Sequence, residues 1–169
     1  SVNAFGRQLI SAALAAACVG MELGLSDGQI AAGVAKYAPV GRRTSVIRAG
    51  GVTIVDDCYN SNPDSAVLAV KSASDLPGRL VCILGDMLNL GPDSAKMHRE
   101  VGDAALSRGA LLLCSGEESR AMGGVHFDTR EELISALPEY VRPGDVVLVK
   151  ASHAMGFEAV TEALKELFS

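Results

Sequence analysis

Three short polar clusters, each placed directly after an apolar run, hold most of the side chains in this chain that could do chemistry. The first is Asp56-Asp57-Cys58-Tyr59-Asn60-Ser61-Asn62-Pro63-Asp64-Ser65, the second Gly85-Asp86-Met87-Leu88-Asn89-Leu90-Gly91, and the third Lys150-Ala151-Ser152-His153. A carboxylate at a strand end is well placed to accept both hydroxyl hydrogen bonds of a ribose, and Asp57 is the residue assigned to that task. The competing reading is structural: Asp56 and Asp57 satisfy loop amides, and Asn62 caps the helix that Pro63 opens. Lys150 and Ser152 offer an ammonium and a hydroxyl to a carboxylate or phosphate, against a surface lysine and a helix cap. Asp86 reads as a site carboxylate or as one half of a Gly-Asp turn. Arg42 and Arg43 could reach a phosphate across a cleft, or remain solvated linker charges. His98 falls inside helical spacing and reads as a packing or helix-surface residue before a base. His126 has no partner in sequence.

The elements that must position these clusters follow from periodicity. Ala and Leu content favours a buried helix over residues 8 to 23, with Gly24 as its stop, and Ser26 with Gln29 forms a capping-box signature for a second helix to about Tyr37. Pro39 closes that pair, and a boundary is expected at residues 39 to 43. Ser45–Arg48 and Val52–Val55 flank Ala49-Gly50-Gly51 as a hairpin. Apolar runs at Leu80–Leu84, Ala110–Cys114 and Val146–Val149 predict strands, alternating with helices at about 63–75, 93–108, 129–137 and 155–167. Such alternation predicts an α/β fold with an open, mostly parallel sheet covered by helices on both faces, and ligands outside the carboxyl ends of its strands. All three clusters lie at such ends.

Composition narrows the function classes. The 169 residues are 49% hydrophobic, 21% charged and 4% aromatic, with no Trp, which predicts a soluble domain with an aliphatic core. A net charge of −5 without any Lys/Arg stripe argues against nucleic-acid or acidic-membrane binding. Cys18, Cys58, Cys82 and Cys114 form no C-x-x-C pair and read as reduced, mostly buried thiols, which suits a cytoplasmic protein. The apolar run from Leu9 to Met21 after Arg7 has some features of a secretory leader, but it passes unbroken into Glu22-Leu23-Gly24 and reads better as the start of a fragment. G-x-S-x-G, H-E-x-x-H, G-x-G-x-x-G and G-x-x-x-x-G-K-[ST] are all absent, so hydrolase, zincin, simple dinucleotide and phosphate-loop readings lack their motifs.

The clusters, in this order, resemble those of the Mur ligases, and within that family the branch that adds D-alanyl-D-alanine. Asp56 to Ser65 is similar to D-D-S-Y-N-A-N-P-D-S, Gly85 to Gly91 to G-D-M-L-E-L-G, and His98-Arg99-Glu100-Val101-Gly102 to H-R-E-V-G. The resemblance spans essentially the whole chain. It implies that residues 1–40 are the helical end of a central ATPase domain and residues 41–169 a Rossmann-like C-terminal domain. It further implies an ATP-dependent, bacterial, cytoplasmic and monomeric enzyme of cell-wall precursor synthesis. ATP and Mg2+ would serve as cofactors, UDP-MurNAc-tripeptide and D-Ala-D-Ala as substrates, with the magnesium ligands and phosphate loop upstream, so that this chain alone is inactive. Carried onto this sequence, Arg42 and Lys150 become catalytic residues, and Arg42, Asp57, Tyr59 and Asn60 bind the nucleotide. Asn62, Asp86 and Ser152 bind substrate. Two departures stand out: H-N-x-x-N becomes Gln8-Leu9 with Ala12, and K-G-S-R-G-M-R becomes Lys150 to Gly156. They leave open a ligase with another acceptor, or a non-catalytic binding module.

Overall fold

Side chains along a strand point alternately to opposite faces, and this chain uses that alternation to build two cores from one sheet. The computed structural model describes residue 6 and residues 8–37 and 44–169, of which Gln8 is described by its backbone alone. In β3 (Arg79–Gly85), Leu80, Cys82 and Leu84 face one core while Val81 and Ile83 face the other. The central strand β6 (Asp145–Lys150) divides in the same way, with Val146 and Leu148 on one side and Val147 and Val149 on the other. Near-continuous apolar runs are what a parallel sheet covered on both faces requires.

Helices α3 (Pro63–Ser74) and α4 (Ser94–Leu106) cover the first face through Ala66, Ala69, Val70, Val101 and Ala105. Helices α5 (Arg130–Tyr140) and α6 (Glu158–Leu167) cover the second through Leu133, Leu137, Val160 and Leu164. The remaining strands are β1 (Ser45–Ala49), β2 (Val52–Asp56), β4 (Leu111–Ser115) and β5 (Val125–Phe127). Their spatial order is β1-β2-β6-β3-β4-β5; β1 runs antiparallel to β2 as the expected hairpin, and all other pairs are parallel.

The last strand thus inserts between β2 and β3. Asp56 pairs in register with Val149, and Lys150 with Leu84, so the ends of β2, β6 and β3 stop at one level. This order brings the three polar clusters side by side.

Differences from expectation have local causes. Strand β5 has only three residues at the sheet edge, too few to show a period. Helix α5 runs past Pro138 to Tyr140, where the Val141 amide closes its last turn on the Leu137 carbonyl at 2.9 Å. Helix α6 begins at Glu158, since His153–Met155 forms a 3-10 turn closed by Gly156 in the left-handed region at φ 63°. Helix α1 (Gln8–Glu22) pairs with α2 (Asp27–Ala35), whose Ser26–Gln29 capping box is present. The expected burial of α1 is not realised: Ile10, Leu14, Val19 and Met21 are exposed, because α2 covers only a narrow stripe of it. The expected boundary at residues 39 to 43 lies outside the described residues. No described helix is long and apolar enough to cross a membrane.

At the opposite end of the sheet from the clusters, a charge pair ties the starts of β3 and β6. Arg79 Nε donates to Asp145 Oδ1 at 2.9 Å and Nη2 to Oδ2 at 2.6 Å, while Nη2 also reaches the Tyr140 carbonyl at 2.7 Å. Burial by itself would raise the Asp145 carboxyl, but the Arg79 hydrogen bonds and the Arg142 amide outweigh it and hold the group below its ordinary value. A carboxylate depressed on folding contributes stability above its unfolded pKa and loses it as pH falls through the folded value. Asp145→Asn should therefore cost about 2 kcal/mol at pH 7, measured by urea unfolding. The gap to wild type should shrink below about pH 4; a gap constant down to pH 2 would contradict this account.

Candidate nucleotide-binding cleft

Beyond the carboxyl ends of β2 and β6 lies a cleft of 280 Å³. Its polar wall is formed by Thr44, Asp57, Asn60 and Lys150, its flank by Tyr59, Asn62 and Ser65, and its opposite wall by Leu9 of α1 and Tyr37. Lys150 anchors the polar wall. Its side chain is only 2% exposed, and Nζ donates to Asp57 Oδ2 and to the Asn60 carbonyl, each at 2.7 Å. The second carboxylate oxygen, Asp57 Oδ1, accepts from the Thr44 hydroxyl at 2.8 Å. The Asp57 amide continues the ladder by donating to Val149 O at 3.0 Å, which fixes the carboxylate beside the lysine.

The loop after β2 divides its labour. Asp56 turns inward and accepts from the Cys58 amide at 3.2 Å, and the Cys58 thiol donates to Val149 O at 3.5 Å. Burial, assisted by the Asp56 charge, pushes that thiol far above its ordinary range, so Cys58 is a packing residue. Burial likewise pushes Cys82 and Cys114 up to about 12, whereas Cys18 is exposed. Asn62 is the N-cap of α3: its side chain accepts from Ser65 N at 2.8 Å, and the Ser65 hydroxyl reciprocates to Asn62 N. Both therefore serve the helix while lining the cleft. Tyr59 is exposed at the rim, its ring centroid 6.0 Å from that of His153.

The second cluster braces the site from behind. Asp86 is buried and accepts from Ser119 N at 2.8 Å; neither it nor Ser152 is among the described residues lining the cleft. Ser152 is held by its amide on Asp86 O and accepts from Leu88 N at 2.9 Å. His98 is fully buried: Met87 N–H donates to Nε2 at 2.9 Å, which leaves the ring proton on Nδ1 facing Ser94 O at 2.9 Å. A Cβ on Gly102 would collide with the Met122 backbone, so the His98 to Gly102 segment clamps α4 to the cluster and to the turn after β4. His126 Nε2 lies 2.6 Å from Gly116 O. Arg42 and Arg43 lie outside the described residues. The buried His98 fits its reading as a packing residue, whereas Thr44 is a contributor that the sequence did not single out, since its partner Asp57 lies in another element.

Among the described residues, no group of three His, Cys, Asp or Glu side chains is arranged to hold a metal. The polar wall suits hydroxyl donors at Asp57 and an anion near Lys150. Stranding either charge should be costly: Asp57→Ala leaves a buried ammonium and should lose about 3 to 5 kcal/mol, whereas Asp57→Ala combined with Lys150→Met should lose clearly less. Urea midpoints for both singles and the double give the coupling energy, and simple additivity would refute the pairing.

Comparison with known proteins gives the family of the chain that carries this cleft. A family model described as Mur ligase, glutamate ligase domain, matches residues 42–153. The UDP-N-acetylmuramoyl-tripeptide–D-alanyl-D-alanine ligase of Escherichia coli (strain K12) is 36% identical over 95% of this chain and 38% of that protein. Its namesake from Mycobacterium leprae (strain TN) is 31% identical over 96% of this chain and 38% of that protein. Among solved structures, MurF ligase from Thermotoga maritima in complex with ADP aligns with a TM-score of 0.77 and 29% identity, over 88% of this chain and 36% of that one. MurF from Acinetobacter baumannii aligns at 0.85 over 95% of this chain and 38% of that one; at 24% identity it speaks for the fold alone. The chain thus spans 38% of the length of these curated relatives. With a family match covering most of its length, laid over the sheet and all three clusters, the chain belongs to the Mur ligase family.

Proposed function

We propose that this chain is the C-terminal part of an ATP-dependent ligase that joins D-Ala-D-Ala to UDP-MurNAc-tripeptide in cell-wall precursor synthesis. Residues 1–40 would be the helical end of a central ATPase domain and residues 41–169 the C-terminal domain. The exposed apolar side chains of α1 suit a surface that further protein covers. The observation that carries the reading is the Asp57–Lys150 pair in the wall of the cleft. Asp57 lies in the loop most similar to the family's and Lys150 ends β6, both at the strand ends where an open α/β sheet binds ligands.

In this reading Asp57 accepts the ribose hydroxyls, and Asn60 and Tyr59 flank the nucleotide. Lys150 holds the Asp57 carboxylate in position through its bond to Oδ2. Arg42 would approach the phosphate when the domains close. The tripeptide carboxylate takes the γ-phosphoryl group as ADP leaves, the amine of D-Ala-D-Ala attacks the carbonyl carbon of the acyl phosphate, and phosphate departs as the nitrogen loses a proton. Positive groups near the transferring oxygens stabilise the charge that develops there. In the pattern that this chain resembles, the magnesium ligands and the phosphate loop belong to the upstream domain. The chain alone is then inactive. Asn62, Asp86 and Ser152 would act on the substrate side, the latter two through the loops they brace. The protein would be a cytoplasmic bacterial monomer.

A ligase with another acceptor is the second reading, favoured by His153 to Gly156 in the loop after β6, where the arginines of the family pattern are absent. Phosphate release by the full-length protein with ATP and UDP-MurNAc-tripeptide decides between them. D-Ala-D-Ala should stimulate it at least about tenfold over D-Ala, equivalent to about 1.4 kcal/mol of discrimination. No stimulation by the dipeptide, with strong stimulation by a single amino acid, would replace the first reading by the second.

A further inference from the structure

We propose that Thr44 is an affinity-setting residue of the cleft: its hydroxyl occupies the Asp57 acceptor that a ligand hydroxyl needs, so a ribonucleotide binds by displacing it. This rests on the reading of Asp57 as the ribose acceptor and adds what stands in the way. Both carboxylate oxygens are engaged within the chain, Oδ1 by Thr44 Oγ1 at 2.8 Å and Oδ2 by Lys150 Nζ at 2.7 Å. The Asp57 side chain is 13% exposed, which leaves little room for a diol beside both partners.

The two partners are not equally replaceable. Lys150 is buried, and leaving Asp57 would strand its ammonium away from water. Thr44 is half-buried and lines the cleft, so its hydroxyl can exchange one partner for solvent without such a cost. Its backbone adds a bias. Thr44 has φ 54°, a left-handed conformation that a β-branched residue rarely adopts and that persists only while surrounding contacts hold it. Release of the Asp57 bond removes one of those contacts. A ribose hydroxyl then replaces the threonine hydroxyl with a bond of the same kind, O–H to carboxylate, while a second hydroxyl of the diol reaches the uncovered part of the carboxylate.

Calorimetric titration of the full-length protein tests this with ATP and 2′,3′-dideoxy-ATP. Thr44→Val and Thr44→Ala should each tighten ATP binding about three- to tenfold, the equivalent of one net hydrogen bond. They should leave the affinity for 2′,3′-dideoxy-ATP unaltered, because that probe lacks the hydroxyls that compete. Thr44→Ser, which restores the donor, should reverse the gain. Asp57→Asn keeps an acceptor for Lys150 and should weaken ATP binding. If Asp57→Asn weakens ATP binding but neither Thr44 variant tightens it, this inference falls and the ribose reading stands. An equal gain for the dideoxy probe has the same meaning. If ATP does not bind, or Asp57→Asn leaves its affinity unchanged, the ribose reading falls and this inference with it.

Discussion

The ammonium of Lys150, buried at the end of the central strand, has to be neutralised and hydrogen-bonded on the spot, because desolvating an ion costs several kcal/mol that only a well-placed counter-charge offsets. Asp57, ninety-three positions away in sequence, is that counter-charge. The pair exists only if β2 and β6 run parallel, adjacent and in the register that sets Asp56 against Val149. The same requirement bends the loop after β2, since the Asn60 carbonyl must turn back to accept a second ammonium hydrogen. With that turn made, Tyr59 is left at the rim and Asn62 falls where α3 begins. The polar wall of the cleft is a consequence of burying one lysine.

Behind that wall, the loop after β3 acts as a fastening. Its backbone is gripped from two directions, by His98 of α4 at Met87 and by Ser152 of the final loop at Leu88, while Asp86 binds the turn after β4. Lys150 and Ser152 belong to one continuous segment, so this grip fixes the chain immediately following the lysine. The most family-like motifs therefore do two kinds of work. Asp57 and Asn60 face the cleft, whereas Asp86, His98 and Gly102 hold the backbone that aims them.

How far the sequence disclosed this follows from the range of each interaction. Period-2 alternation, continuous apolar runs and cap residues are local, and they gave the strands, most helix limits and the convergence of three clusters on one edge. The Asn62 and Ser26 caps were legible for the same reason. The burial of Lys150 was not: a lysine after an apolar run looks the same with or without a partner in a distant loop. His98 could be placed on a helix, but its bond to Met87 depends on how α4 meets the sheet. The exposure of α1 escaped too, because an Ala-rich segment specifies that it wants a covering surface, not whether this chain provides one. Strand β5, three residues long, has no period to read.

The two walls of the cleft are consequently under different constraints. Changing Asp57 or Lys150 disturbs the central strand, so the polar wall is locked to the stability of the sheet. Leu9 and Tyr37 contribute to the other wall from outside the sheet's two cores. Neither residue packs into the cores that hold the strands to their covering helices. The departure from the family pattern at Leu9 falls on that permissive side, together with the half-buried Thr44 at the join. The polar wall is thus set by the requirements of folding, while the side chains facing it from Leu9 and Tyr37 are free to differ.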